Sequence, residues 1–91
     1  MVTYSLALME CTDVQPGLFD DEQVVTFLNS EGKEGVFITS GDQIRRIGDK
    51  SFFQVVVLDE GEATLVQLPS PSLTMGLRLW ANPRHVRKEA V

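Results

Sequence analysis

The alternation of apolar and polar residues is clearest between residues 51 and 68, where it predicts a β-hairpin. The first arm is crowded with β-branched and aromatic side chains, and the second arm places Thr64, Val66 and Leu68 on one face. An acidic link containing Gly61 joins the two arms, as a tight turn requires. Similar apolar arms separated by turn residues recur along most of the chain.

The first apolar segment predicts a strand from residue 2 to residue 14 with a bend near Glu10. A helix is the competing interpretation, because residues 6–10 are good helix formers, but no N-cap residue precedes them. Pro16 and Gly17 then break the chain, and we expect the apolar pair Leu18-Phe19 to close over one end of the core. The strongly apolar face of this strand carries Val2, Tyr4, Leu6 and Leu8.

Further strands are predicted on both sides of a central loop. Residues 24–28 and about 33–39 form two of them, joined by a polar turn at residues 29–32, and Gly35 indicates a bulge or a sharp bend. Residues 43–47 are too few for an independent helix and predict one helical turn or a loop, in which Ile44 docks with Ile47.

The last long strand spans residues 75–81, after a proline-containing loop at residues 69–72. One face of this strand is apolar, whereas the other carries Arg78 and Trp80. Residues 82–86 then form a turn that returns Val86 to the core. Five or six short strands at this spacing, with one short helical turn, predict an all-β fold, a small antiparallel barrel or a pair of packed sheets, and residues 1–91 form a single domain.

The tail Leu79-Trp80-Ala81-Asn82-Pro83-Arg84-His85-Val86-Arg87 resembles the end of SH3-like barrels. In those barrels a strand is followed by a single turn that starts with proline and by a short final strand. The hairpins predicted near residues 29–32 and 59–62 agree with that topology. The resemblance implies an SH3-like small β-barrel and assigns no binding residues, because the clustered aromatic residues with which eukaryotic SH3 domains hold proline-rich peptides are missing here.

Composition places the chain among soluble, ordered domains, because 43% of its 91 residues are hydrophobic and 23% are charged. The uncharged stretch at residues 1–9 is too short to span a bilayer and lacks the basic leader of a secretory signal, so we expect a cytoplasmic protein without membrane contact. Cys11 is the single cysteine and cannot form an internal disulfide. We expect it to be a small packing residue.

No motif predicts a metal, a cofactor or catalysis. A zinc site needs His and Cys at short spacing, yet His85 and Cys11 stand far apart in the sequence. The acidic run at residues 20–22 lacks the pattern of a calcium loop, and the glycines form no phosphate-binding loop. No nucleophile elbow accompanies the serines or Cys11, so we expect no enzymatic activity of a single chain.

Charge is divided unevenly between the two halves of the chain. Residues 1–44 hold eight acids and one base, a net charge of -7, whereas residues 45–91 hold seven bases and five acids, a net charge of +2. The basic half contains the only constellation that suggests binding. Its candidate residues are Arg45, Arg46, Arg78, Trp80, Arg84 and Arg87.

Three functions are compatible with that constellation. Tryptophan and arginine favour protein interfaces, so the first hypothesis is a non-enzymatic module that binds another protein or forms a homo-oligomer through Arg78, Trp80 and the neighbouring strand edge. The second hypothesis is a nucleic-acid binder, in which the basic side chains contact phosphates and Trp80 stacks on a nucleobase. The third is an oligomeric enzyme or ligand carrier whose site forms between subunits.

Overall fold

Residues 4–88 are described by the computed structural model, and they form an all-β domain with antiparallel strand pairing. This confirms the predicted fold class. None of the described residues belongs to a helix that is long and apolar enough to cross a membrane. The strands are β1 (Ser5–Glu10), β2 (Asp13–Pro16), β3 (Glu22–Leu28), β4 (Glu34–Ser40), β5 (Ile44–Ile47), β6 (Lys50–Glu60), β7 (Thr64–Ser72), β8 (Gly76–Ala81) and β9 (Val86–Lys88), with 3₁₀ turns η1 (Gly41–Gln43) and η2 (Pro83–His85).

The strands of residues 4–88 form a larger sheet and a smaller sheet. In the larger sheet the order is β8-β7-β6-β1-β9, with β5 also paired to β6, so this sheet has six strands. The smaller sheet has the order β2-β3-β4. Within the described residues the pairing path of the larger sheet ends at β8 and β9, so the sheet does not close into the predicted small barrel, and the alternative prediction of two packed sheets describes the fold.

Strand β6 organises the larger sheet because it is long enough to pair with three neighbours. Strand β1 pairs along one of its edges, while β5 and β7 follow one another along the other edge. The predicted hairpin at residues 51–68 is confirmed as β6 and β7, with a bulge at Leu58 where the register shifts. The turn before Val86 is confirmed as η2, and Val86 packs against the core.

The predicted first strand is divided at its bend into β1 and β2, which belong to different sheets. Neighbouring backbone amides cause the division, because the N–H of Cys11 donates to the Ser51 carbonyl at 2.9 Å and that of Thr12 to the Thr26 carbonyl at 2.8 Å. The chain therefore leaves the larger sheet and enters the smaller one within two residues. The part of the predicted strand before Tyr4 lies outside the described residues.

A cluster of three buried phenylalanines joins the sheets. Phe27 and Phe37 come from the smaller sheet and Phe53 from the larger one, and their ring centroids lie 4.7 to 6.0 Å apart in tilted or edge-on pairs. The inner faces of both sheets surround these rings. The other buried residues of this core are Ala7, Met9, Val25, Val55, Val57, Val66, Leu68, Leu79 and Ala81.

Gly35 serves the core and does not mark the predicted bulge. It lies directly opposite Phe27 in an unbroken register between β3 and β4, and it is buried. A Cβ atom at this position would overlap the Phe27 ring. The glycine therefore provides the space that the Phe27 ring occupies, and the pairing of β3 with β4 continues without a bulge.

Residues 44–47 form strand β5 and not the predicted helical turn or loop. Gly48 adopts a positive φ of 64° and starts a two-residue turn, which aligns Ile47 with Lys50 and allows β5 to pair with β6. Because Ile44 and Ile47 are three positions apart on a strand, they point to opposite faces. The predicted contact between them is therefore wrong.

Residues 69–72 extend β7 and do not form a separate loop. The extension reaches the smaller sheet, where the Ser70 hydroxyl donates to the Ile38 carbonyl at 3.3 Å and the Leu73 N–H donates to the Val36 carbonyl at 2.7 Å. Pro69 and Pro71 are tolerated because the recorded pairing of β7 with β6 ends at Gln67 and its pairing with β8 is interrupted between Gln67 and Ser72, so the missing N–H groups leave no ladder bond unmade.

We predict that Gly35→Ala destabilises the fold by about 1–3 kcal/mol, because the added methyl group displaces the Phe27 ring in a packed core. Urea unfolding measures the difference. Gly61→Ala in the turn between β6 and β7 is the matched control, since the nearest atom to its Cβ would be the Ala63 carbonyl oxygen at 3.9 Å. We expect the control to change stability by less than about 0.5 kcal/mol. Equal effects of both substitutions would contradict this role of Gly35.

Candidate functional site

The candidate site is the outer face of the larger sheet, defined as the side that points away from the core. Cross-strand partners share a face, so the register assigns each side chain: Arg45 lies opposite Phe52, Arg87 opposite Leu8, Arg78 opposite Gln67 and Trp80 opposite Leu65. The fold thus brings four of the six predicted residues to the outer face. They are Arg45, Arg78, Trp80 and Arg87.

The other two predicted residues lie elsewhere. Arg46 follows Arg45 on β5 and points to the opposite side, where it lines a shallow cavity with Val14, Gln23 and Ser51. Arg84 belongs to η2, in which its N–H donates to the Asn82 side chain at 3.0 Å. The predicted basic constellation is therefore not one continuous surface.

One end of the outer face is basic. The Arg87 guanidinium carbon lies 5.9 Å from the centre of the Phe52 ring, close enough for a cation–π interaction. Phe52 and Leu8 are buried although their register directs them away from the phenylalanine core. We infer that long polar side chains such as Arg87 cover them while keeping their charges in water.

The other end of the outer face is apolar. Trp80 is 46% exposed and Leu6 is 50% exposed, and the register places the half-buried Val56 and Leu65 between their strands. Arg78 borders this end, where its Nε donates to the Gln67 side-chain oxygen at 2.9 Å. That bond fixes the direction of the guanidinium group beside the apolar surface.

The apolar end reverses an expectation for the first strand. The sequence assigns the face with Tyr4, Leu6 and Leu8 as the strongly apolar one, yet the phenylalanine core receives Ala7 and Met9 from the opposite face. The exposed Leu6 is therefore the residue of the candidate site that could not be assigned to it from the sequence. The alternation of apolar residues along the first strand was the signal that placed Leu6 on one face, but it did not show that this face points away from the core.

The edge of β8 is only partly open. The Ser30 N–H, in the turn between β3 and β4, donates to the Trp80 carbonyl at 2.8 Å. This bond occupies the edge at the position where an added strand would pair. The side chains of the outer face are thus more accessible to a partner than the backbone beside them.

Two lysines near this surface are held in ion pairs. Lys50 lies 3.1 Å from the Glu10 carboxylate, and Lys88 lies 2.9 Å from that of Glu60. Both lysine side chains are largely exposed, so each pair contributes little to stability. They do, however, neutralise cationic charge at the rim of the larger sheet.

The chemistry of the described residues is limited. Residues 4–88 contain no group of three or more His, Cys, Asp or Glu side chains that could hold a metal ion. Burial, together with the neighbouring Glu10 charge, raises the pKa of the Cys11 thiol from 9.0 to about 12, so the thiol remains protonated at neutral pH. Cys11 packs against the core at the bend between the sheets, as predicted, whereas His85 lies in η2.

Comparison of the chain with known protein families, with characterised proteins and with solved structures finds no match. The function is therefore inferred from the geometry of the outer face.

We predict that Arg87→Ala lowers the free energy of unfolding by about 0.5–2 kcal/mol, because it removes the cation–π contact and the aliphatic cover of Phe52. Arg84→Ala is the control, since it deletes the same side chain from η2, and we expect a change below about 0.5 kcal/mol. Urea unfolding of both variants tests the contact. An equal loss in both would show that Arg87 does not cover Phe52.

We predict that Cys11 in the folded protein reacts with iodoacetamide at pH 8 far more slowly than it does in urea, because its raised pKa leaves little thiolate.

The raised pKa of Cys11 also makes the free energy of unfolding depend on pH. The unfolded chain loses the thiol proton near pH 9 while the folded chain keeps it to about pH 12, so this contribution to stability falls as the pH rises through that window. Cys11→Ala lacks the contribution, and a difference between the two proteins that is independent of pH from 8 to 11 would contradict the shift.

Proposed function

We propose that this protein is a non-enzymatic interaction module that binds another protein, or a second copy of itself, through the outer face of the larger sheet. The observation that carries the proposal is the exposure of Trp80 and Leu6 beside Arg78. Large apolar side chains that remain in contact with water next to an oriented guanidinium group are typical anchors of protein interfaces.

Trp80 and Arg78 serve as the anchors of this surface. An indole ring buries a large apolar area with little loss of conformational entropy, and the hydrogen bond to Gln67 already orders the Arg78 side chain before a partner arrives. The basic end, with Arg45 and Arg87, would contribute favourable electrostatics at the rim. Because Ser30 covers part of the β8 edge, the proposal assigns the binding to side chains rather than to strand addition.

The short final strand supports the SH3-like resemblance as part of the same proposal. After β8 the chain makes the proline-started turn η2, and β9 returns to pair with β1. We propose the cytoplasm as the location of the protein.

Nucleic-acid binding is the second candidate, and the geometry supports it less. Binding to phosphates needs several cations that can reach one backbone. Lys50 and Lys88 are engaged with carboxylates, Arg87 lies over Phe52, and Arg46 points away from the outer face. An oligomeric enzyme or ligand carrier has no observation among the described residues that favours it.

The test is a double variant, Arg78→Glu with Trp80→Ala, compared with the wild-type protein in affinity capture from lysate after nuclease treatment. We expect the double variant to lose the stoichiometric partner, because a hot-spot tryptophan and its neighbouring charge each account for about 2 kcal/mol or more of binding. The control is Arg84→Glu with Leu73→Ala, which makes the same change in charge and removes an exposed apolar side chain that is not part of the outer face.

Retention of the partner by the Arg78→Glu, Trp80→Ala variant would place the interface elsewhere. Capture that disappears with nuclease in the wild-type protein would favour the nucleic-acid function instead. In that case, binding to an oligonucleotide should weaken steeply as salt is raised, since counterions are released from the phosphates.

A further inference from the structure

The loop between β2 and β3 presents a second apolar surface that the proposed function does not use. Leu18 is 92% exposed and Phe19 is 70% exposed, so the expected closure of this pair over the core is wrong. The side chains point into solvent because the Phe27, Phe37 and Phe53 rings already fill the core. We call the residues 18–21, Leu18, Phe19, Asp20 and Asp21, the acidic tip.

Hydrogen bonds hold the backbone of the acidic tip in place. The Gly17 N–H donates to the Glu22 carbonyl at 2.8 Å, and the Glu22 N–H donates to the Phe19 carbonyl at 3.0 Å. The Glu22 side chain accepts from the Leu18 N–H at 3.0 Å, and the Gly41 N–H donates to the Asp21 carbonyl at 2.7 Å. The apolar pair is therefore presented on an ordered loop, which reduces the entropy lost on binding.

Charge complementarity indicates what the acidic tip can bind. Asp20 and Asp21 follow its apolar pair and add negative charge. Within residues 4–88, the register places four cationic side chains on the outer face against the two acids Glu10 and Asp59: Arg78 lies beside the apolar end, and Arg45, Lys50 and Arg87 lie at the basic end. Each surface thus combines an apolar patch with a net charge opposite to that of the other. Complementary potentials of this kind fix partner choice and orientation at interfaces.

We propose that the acidic tip of one copy of this chain binds the outer face of a second copy, so that copies associate head to tail. This inference deepens the proposed function and rests on it, because it names the occupant of the outer face. Leu18 and Phe19 would lie against Trp80 and Leu6, and the tip carboxylates would lie near Arg78.

The position of the two surfaces determines the form of the association. The acidic tip belongs to the smaller sheet, and the outer face belongs to the larger sheet on the far side of the phenylalanine core. One bound copy therefore leaves an acidic tip free at one end of the pair and an outer face free at the other. Such a contact between two different patches builds a closed ring or an open chain of copies and does not stop at a two-fold dimer.

The experiment uses a tip variant, Phe19→Ser with Asp20→Lys, and a face variant, Arg78→Glu with Trp80→Ala. Sedimentation is measured from about 10 μM to about 1 mM, the range that suits a small interface. We expect the average mass of the wild-type protein to keep rising with concentration beyond that of a dimer. Each variant alone should remain a monomer, because each lacks one half of the contact.

The mixture of the two variants gives the sharpest result. The face variant keeps an intact acidic tip and the tip variant keeps an intact outer face, so an equimolar mixture should form a 1:1 pair that grows no further. Glu62→Lys is the control for the charge change in the tip variant, since it reverses an exposed acid in another turn, and it should associate like the wild type. Urea unfolding shows whether the variants remain folded.

Three outcomes would overturn the inference. A wild-type protein that stays monomeric over the whole range does not bind its own copies, and one that stops at a dimer does not bind head to tail. A tip variant that associates like the wild type shows that another surface occupies the outer face. The proposed function fails separately, when the face variant still captures the partner that the wild-type protein captures from lysate.

Discussion

The packing of Phe27 and Phe37 from one sheet against Phe53 from the other is the constraint on which the rest of the fold depends. The Cys11-Thr12 bend and the end of β7 also link the two sheets, but hydrogen bonds at edges cannot exclude water between the faces. The three rings do so. Their packing requires a residue without a Cβ atom opposite Phe27, and Gly35 is that residue. A domain of this size buries only about 60–65% of its unfolded surface, so the loss of this one cluster leaves little to hold the sheets together.

The same packing determines which surfaces remain for function. Once the inner faces of both sheets meet at the phenylalanine rings, Leu6 and Trp80 on the larger sheet and Phe19 on the smaller one have no further core to join. Their exposure follows from topology and not from a lack of hydrophobicity. The uneven charge of the chain follows the same division, because the acidic first half supplies the smaller sheet and the basic second half supplies β5, β8 and β9 of the larger sheet.

The all-β class, the hairpin of β6 and β7, and the two faces of β8 could be predicted from the sequence, because alternation with period 2 and turn residues are local signals. The strand β5 could not, since Ile44–Ile47 becomes a strand only by pairing with β6 through the Gly48 turn. The role of Gly35 likewise depends on a ring opposite to it. For the candidate site, Arg78 and Trp80 could be placed together from one strand, but the presence of Arg45 and Arg87 on the same face depends on strand order, which local patterns do not contain.

The two ends of the outer face differ in whether an arginine covers the aromatic side chain, and this difference favours binding at the apolar end. At the basic end, Phe52 also points away from the core, yet Arg87 lies over it and the ring is buried. At the apolar end no arginine of residues 4–88 is recorded over the Trp80 ring, and Arg78, on the same face of β8, is hydrogen-bonded to Gln67 on the neighbouring strand β7. The same kind of side chain could have covered both aromatic groups. That it covers only one leaves Trp80 available, and an exposed indole with an already ordered arginine loses little entropy when a partner buries it.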